Sequence, residues 1–220
     1  KKISDIVISG MGGSGLGGHV AQSLFYGELK IPLRVVNSYD IPASVGKNSL
    51  CVIISYSGST EEALAVLKQA KKKKAKIFII TGGGQLDRIA KHYKIATYIF
   101  NPIHNRHHPR FGLGYTLIAQ ILLLARLNLI SLSPREQKSL NLNLNKFDKW
   151  FGLKTQIANN SAKKIALQFY QKSPIIIGSE FLIGSTHVFA NQLNETAKTY
   201  ANYFSLPELN HHLMEGLKFP

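Results

Sequence analysis

The chain has 220 residues, 45% of them hydrophobic and 18% charged, which is the composition of a globular protein with room for one large domain or two small ones. Its one cysteine, Cys51, excludes an intrachain disulfide and, lying inside an apolar strand, reads as a core thiol. Lys and Arg number 27 against 12 Asp and Glu, a formal charge of +15 that favours anionic ligands; a phosphorylated metabolite, a nucleic acid and an anionic membrane surface all stay open on that ground alone.

Ile3 to Ser9 is short, apolar and β-branched and predicts a parallel strand. A glycine-rich loop follows at once, Gly10-Met11-Gly12-Gly13-Ser14-Gly15-Leu16-Gly17-Gly18, and then a helix over His19 to Phe25. Strand, glycine loop and helix in that order form a phosphate cradle. Gly10, Gly12 and Gly15 also fit a dinucleotide fingerprint. That reading wants an acidic residue at the end of the next strand, Leu33 to Asn37, and Asp40 comes late for it.

The third strand, Leu50 to Ile54, runs into the turn Ser55-Tyr56-Ser57-Gly58-Ser59-Thr60, which opens a helix from Glu61 to Lys71. A helix N-terminus carries unpaired N–H groups and a partial positive charge. One hydroxyl suffices to cap it. The cluster of Ser55, Ser57, Ser59 and Thr60 beside a permissive Gly58 favours an oxyanion site instead. Lys71 to Lys74 close that helix and complement its dipole. A fourth strand, Lys76 to Ile80, a helix over Leu86 to His92 and a fifth strand, Ile95 to Phe100, complete an alternating pattern. The pattern predicts an α/β fold with a parallel sheet covered on both faces, its ligands at the carboxyl ends of the strands.

His104, His107 and His108 raise a metal question, but two prolines and the lack of helical spacing argue for a polar loop. Arg110 follows, placed where a guanidinium can reach an anion. The apolar stretch Phe111 to Ile130 contains Gln120, Arg126 and Asn128, so it reads as a buried or dimer-interface helix rather than a membrane span. Residues 131–170 form a polar helical connector between a first unit, 1–130, and an incomplete second one, 171–220. In the second unit Pro174 to Ser179 and Phe181 to Lys198 repeat the strand, loop and helix order. The opening residues carry no secretory signal pattern, and the expected location is the cytoplasm.

The loops Gly12-Gly13-Ser14-Gly15 and Ser55 to Glu62 resemble those of the sugar isomerase (SIS) domain. Asn194-Glu195-Thr196-Ala197-Lys198 and Pro207 to Gly216 resemble a narrower group, the bifunctional phosphoglucose/phosphomannose isomerases built from two SIS domains. The resemblance implies an αβα sandwich with a flavodoxin-like parallel five-stranded sheet and a partial second SIS domain. It implies a homodimer, a phosphosugar substrate and no metal or nucleotide cofactor, membrane or nucleic-acid partner. A segment before the first strand and a C-terminal helix bearing a lysine are expected to lie outside these 220 residues. By position, Gly13 and Ser14 would line the sugar site, and Ser55, Ser57 and Thr60 would hold the phosphate. Arg110 would stabilise an enediolate, Glu195 would be the base, and His211, with His212 as rival, would open the ring. Such an enzyme interconverts glucose 6-phosphate, and mannose 6-phosphate, with fructose 6-phosphate. The uncharged run Asn191 to Ala197 is expected to desolvate Glu195, and Thr196 is a candidate contact for telling the C2 epimers apart. A non-catalytic phosphosugar-binding SIS protein is the alternative class; a nucleotide-dependent enzyme is a weaker one.

Overall fold

The computed structural model describes residues 2–103, 108–216 and 218. Its centre is a parallel sheet of β1 (Asp5–Ser9), β2 (Leu33–Val36), β3 (Ser49–Ser55), β4 (Lys76–Thr81) and β5 (Ala96–Ile99), in the order β2-β1-β3-β4-β5. The run of side chains along each strand explains why both faces are covered. Ile6, Ile8, Leu50, Val52 and Ile54 join one cluster with Ala21, Phe25 and Leu124, which lie on α1 (Gly13–Leu24), just beyond its end and on α4 (Leu113–Arg126). Val7, Cys51 and Ile53 point the other way, onto Ala63, Val66 and Leu67 of α2 (Glu61–Lys72) and Leu86 and Ala90 of α3 (Gly84–Tyr93). Strands that are apolar on both sides have no solvent face to offer, so helices must flank them. The result is the expected αβα sandwich, and strand boundaries fall within two residues of the sequence reading.

Three helical assignments in this part of the chain differ from that reading, and later in the chain the helix expected over Phe181 to Lys198 is divided into a 3-10 turn, an α-helix and a π turn. α1 begins at Gly13, six residues before His19, because the glycine loop itself supplies the first turn. The stretch expected as one helix from Phe111 is a 3-10 turn, Pro109–Gly112, followed by α4. α4 packs its Thr116 and Gln120 side toward α1, where Gly17 gives it room: a Cβ at Gly17 would run into the Gln120 carboxamide. No helix among the described residues is long and apolar enough to cross a membrane. The third difference is α5 (Pro134–Phe151), read as weakly helical but fixed by a capping box, in which Ser133 Oγ accepts from the Glu136 N–H while the Glu136 carboxylate accepts from the Ser133 N–H. α6 (Ser161–Phe169) follows it.

A second, two-stranded parallel sheet pairs β6 (Ile175–Ser179) with β7 (Asn202–Leu206). The strand β7 was missed, since Asn202-Tyr203-Phe204-Ser205-Leu206 is short and its polar residues give no clear alternation. Between the two strands run α7 (Ile183–Gln192) and a π turn, Leu193–Ala197. α7 rests on α1 through Gly184, whose missing side chain lets it approach the His19 and Val20 backbone, and its N–H donates to Ser23 Oγ at 3.0 Å. Beside this contact His187 stacks on Tyr203 with ring centroids 4.4 Å apart and meets His19 at 4.7 Å. Burial holds both imidazoles below their ordinary pKa; a hydrogen bond to Asn37 works against this at His19, and the neighbouring His19 adds to it at His187.

The end of the sheet opposite the loops is tied by Asp5. Its carboxylate accepts from Ser49 Oγ at 2.7 Å, Ser4 Oγ at 2.8 Å and Arg34 Nη2 at 2.7 Å. Burial opposes the charged form, but the hydrogen bonds from Ser49, Ser4 and Arg34 outweigh it and hold the pKa below the ordinary value. A depressed carboxylate stabilises the fold fully above its unfolded pKa of about 3.9, and that stabilisation is lost as pH falls through the folded value. Asp5→Asn should therefore flatten the acid limb of the stability curve below about pH 4. Urea melts of both forms between neutral pH and that range measure it; a parallel acid limb in the variant would remove Asp5 from the account.

Candidate phosphosugar site

β1 and β3 are neighbours in the sheet, yet α1 leaves β1 on one face and α2 leaves β3 on the other. Such a reversal opens a crevice at the carboxyl ends of the two strands. A cavity of about 530 Å³ lies there, lined by Gly12, Gly13 and Ser14 of the first loop, Tyr56, Ser57 and Thr60 of the second, Pro109, Arg110 and Thr116 from the α4 entry, and Glu195. Of the expected site residues it brings together Gly13, Ser14, Ser57, Thr60, Arg110 and Glu195. A larger groove of about 720 Å³ between β5 and α4 is mainly apolar and offers no comparable polar set.

Each loop is built to present its donors. In the first, Gly12 takes φ +49° and no side chain caps α1. Asn37, at the end of β2, donates to the Gly10 carbonyl at 2.5 Å and so clamps the loop. The position that a dinucleotide reading reserves for a carboxylate thus belongs to an amide turned onto the loop itself. In the second, Ser55 is buried and its hydroxyl pairs with Thr60 Oγ1 at 2.7 Å and accepts from the Gly58 N–H at 3.0 Å. Ser55 therefore braces the turn from beneath, whereas Ser57 and Thr60 line the cavity. Thr60 makes no side-chain cap to α2, so the first turn of that helix keeps its N–H groups uncapped toward the same end. The two loops are joined directly: the Tyr56 N–H donates to Ser14 Oγ at 3.3 Å.

A guanidinium and a carboxylate complete the cavity wall. Arg110 Nε lies 3.8 Å from Glu195 Oε2, and that Nε is buried with no hydrogen-bond partner among the described residues. The Glu195 side chain is 50% exposed, so the desolvation expected of residues 191–197 is not what surrounds it; an arginine and open space are. His211 is exposed, at the end of the 3-10 turn Glu208–His211, and does not line the cavity. Thr196 is turned away from it, donating to Gln192 Oε1 at 2.8 Å.

Sequence reasoning missed Tyr56, Thr116 and Gln192. Tyr56 stands between two named serines, but no pattern marked its backbone as the link to Ser14. Thr116 sits at helical spacing from Gln120 inside a stretch read only for its apolarity. Of the histidine run, His104 and His107 lie outside the described residues, and His108 is exposed, in a T-shaped contact with Phe111. Among the described residues no group of three or more His, Cys, Asp or Glu could hold a metal ion. The lysine run at the end of α2 is engaged locally: Lys71 Nζ lies 2.9 Å from the Tyr93 ring centroid, and Lys73 Nζ donates to the Ala43 carbonyl at 2.7 Å.

A doubly wound sheet with two N–H-rich loops meeting at its switch point, and an arginine beside them, defines the class: an α/β domain with a crevice suited to a small anionic ligand. Residues 1–127 match the SIS domain family and residues 158–220 match the family described as the bacterial phospho-glucose isomerase C-terminal SIS domain. The chain belongs to the SIS domain family. Within it, the chain is 33% identical over 224 residues to a protein of Caldicellulosiruptor bescii named bifunctional phosphoglucose/phosphomannose isomerase, covering 99% of this chain and 64% of the relative. A protein of the same name from Thermoplasma volcanium is 32% identical over 223 residues, again covering 99% and 64%. The chain thus spans just under two thirds of the length of these relatives. Among solved structures, glucosamine-6-phosphate deaminase from Thermotoga maritima superposes with a TM-score of 0.75 at 17% identity, over 98% of this chain and 65% of that one, which bears on the fold.

Proposed function

We propose that this chain carries the active site of an aldose–ketose isomerase that interconverts glucose 6-phosphate, and mannose 6-phosphate, with fructose 6-phosphate through a cis-enediol. The observation that carries the reading is the single cavity in which two phosphate-type loops, Arg110 and Glu195 face one another. Its volume of about 530 Å³ suits a sugar phosphate and falls in the usual range for small-molecule sites.

In this reading Ser57, Thr60 and the start of α2 hold the phosphate, with Ser55 fixing the turn, while Gly13 and Ser14 bring backbone and hydroxyl to the sugar. Remote binding energy of this kind orients the reacting carbons. Glu195 takes the proton from C2 or C1 and returns it to the neighbour, since one carboxylate reaches both adjacent carbons. Arg110 faces the oxyanion that develops on the enediolate. Proton transfer between adjacent carbons is redox-neutral overall, so no cofactor enters the scheme. His211 is the proposed ring-opening group. It lies outside the cavity lining of its own chain, and a homodimer in which a second copy supplies the imidazole meets that need. The reading also places the enzyme in the cytoplasm, in phosphosugar metabolism, without a nucleic-acid partner.

A coupled assay for glucose 6-phosphate formed from fructose 6-phosphate tests the activity. Calorimetry tests the grip: glucose 6-phosphate should bind at least about 10²-fold more tightly than glucose, the worth of roughly two charge-assisted hydrogen bonds. Equal affinity for the two sugars would overturn the phosphate assignment, and binding without turnover would leave a phosphosugar-binding protein.

A further inference from the structure

The Arg110–Glu195 pair has not closed. At 3.8 Å the two groups are charge-paired but not hydrogen-bonded, although an arginine and a carboxylate gain most from a short bidentate contact. Both therefore remain available to a third group, and something must hold them at that spacing, because they come from chain segments 85 positions apart (195 − 110).

The π turn that carries Glu195 is fixed within its own unit by Asn194. The Asn194 Nδ2 donates to the carbonyls of Ala190 and Ala201, each at 2.8 Å, and its Oδ1 accepts from the Ala201 N–H at 3.3 Å. Lys198 Nζ adds a bond to the Glu195 carbonyl at 2.6 Å. None of these reaches the segment bearing Arg110. Gln192 does. It is the last residue of α7, one position before the π turn. Its Nε2 donates to the Arg110 carbonyl at 3.1 Å, and its Oε1 accepts from Thr196 Oγ1, beside Glu195, at 2.8 Å. One carboxamide thus joins the backbone of the guanidinium to the neighbour of the carboxylate, with both ends satisfied. The bond to the Arg110 carbonyl is partly buried, which limits competition by water, whereas the bond from Thr196 is exposed.

The structure assigns Gln192 as a positioning residue of this site: its carboxamide sets the open spacing between Arg110 and Glu195, and with it the geometry in which both groups meet the substrate. This rests on the isomerase reading for its kinetic consequence and on the geometry alone for its structural one. Gln192→Leu keeps the volume and removes both bonds. Gln192→Glu keeps an acceptor for Thr196 and loses the donor to Arg110. Thr196→Val removes the opposite bond. Misplacing a reacting group by about an ångström costs on the order of 10²-fold in rate, so kcat should fall roughly that far in Gln192→Leu and nearly as far in Gln192→Glu, with a smaller loss in Thr196→Val. The KM for fructose 6-phosphate should move by less than about threefold, because the phosphate contacts come from other elements.

Crystal structures of the first two variants give the second readout. The Arg110 Nε to Glu195 Oε2 distance should depart from 3.8 Å, either closing to a hydrogen bond or opening. Variants with wild-type kcat, or with the spacing unchanged, would overturn the assignment. A merely structural role would lower the melting temperature without this split between kcat and KM. If the unaltered chain shows no turnover of hexose phosphates, the isomerase reading fails by itself, and the spacing in the variant crystals still decides whether Gln192 positions the pair.

Discussion

Glu195→Gln should abolish exchange of the C2 hydrogen of glucose 6-phosphate with solvent deuterium while leaving the sugar bound. The substitution keeps the shape of the side chain and replaces the basic carboxylate by an amide too weakly basic to take the proton. A positioned general base contributes about 10²–10⁴-fold, and the loss should reach the upper end because the same carboxylate serves both half-reactions. Binding should survive, because the phosphate loops arise from β1 and β3 and Glu195 from the far end of α7. Proton NMR in deuterium oxide reads the exchange, and calorimetry with glucose 6-phosphate reads the binding. Exchange persisting in the variant would mean that another group is the base, and His211 from a second copy would be the next to test.

The second large effect is expected at Gly58. The residue sits at φ +70°, a conformation that costs an ordinary L residue about 1–2 kcal/mol. Any Cβ there would also collide with the Gly83 carbonyl. The clash has no soft side, since the facing group is backbone. Gly84, also at positive φ, packs its own open flank against the Ser57 carbonyl and Ser59. Further bonds lock the two turns together: Leu86 N–H to the Gly58 carbonyl at 2.8 Å and Gly82 N–H to the Tyr56 carbonyl at 3.1 Å. Gly58→Ala must break this contact or displace the Ser57–Thr60 turn. On the order of 3 kcal/mol of stability should be lost, a fall of about 6–12 °C in melting temperature for a chain of this size. Affinity for hexose 6-phosphate should drop as well. A variant that melts and binds like the parent would show that the turn tolerates a side chain.

Much of this architecture was legible because the first unit obeys simple rules. Runs such as Cys51-Val52-Ile53-Ile54 are apolar on both faces, and only a doubly covered strand explains them. The hydroxyl cluster after them exceeded what capping needs, and two of its four members, Ser57 and Thr60, line the cavity. What stayed hidden depended on tertiary contacts. Nothing local distinguishes Ser55, which props the turn, from Ser57, which faces the ligand space; the difference is which hydroxyl finds Thr60. The exposure of Glu195 could not be read from its uncharged neighbours, because Arg110 reaches it from another part of the chain. The strand β7 had too few residues to show a period, and only its pairing with β6 defines it. Gln192 looked like any helix-surface amide until its two partners were known.

The packing of α7 directly on the backbone of α1 has a consequence for substrate choice. The rod whose tip carries the glycine loop is the same rod on which the Glu195 segment is seated, with Gly184 leaving no slack between them. In the proposed reading the phosphate turn is tied to the glycine loop through Tyr56 and Ser14, and the glycine loop to the Glu195 segment through α1 and α7, so the span from phosphate to carboxylate behaves as a fixed gauge rather than an adjustable jaw. Under the isomerase reading a pentose phosphate anchored at Ser57 and Thr60 should present its C1 and C2 at the wrong depth for Glu195, and selection by carbon count would then rest on a helix contact that no sugar touches.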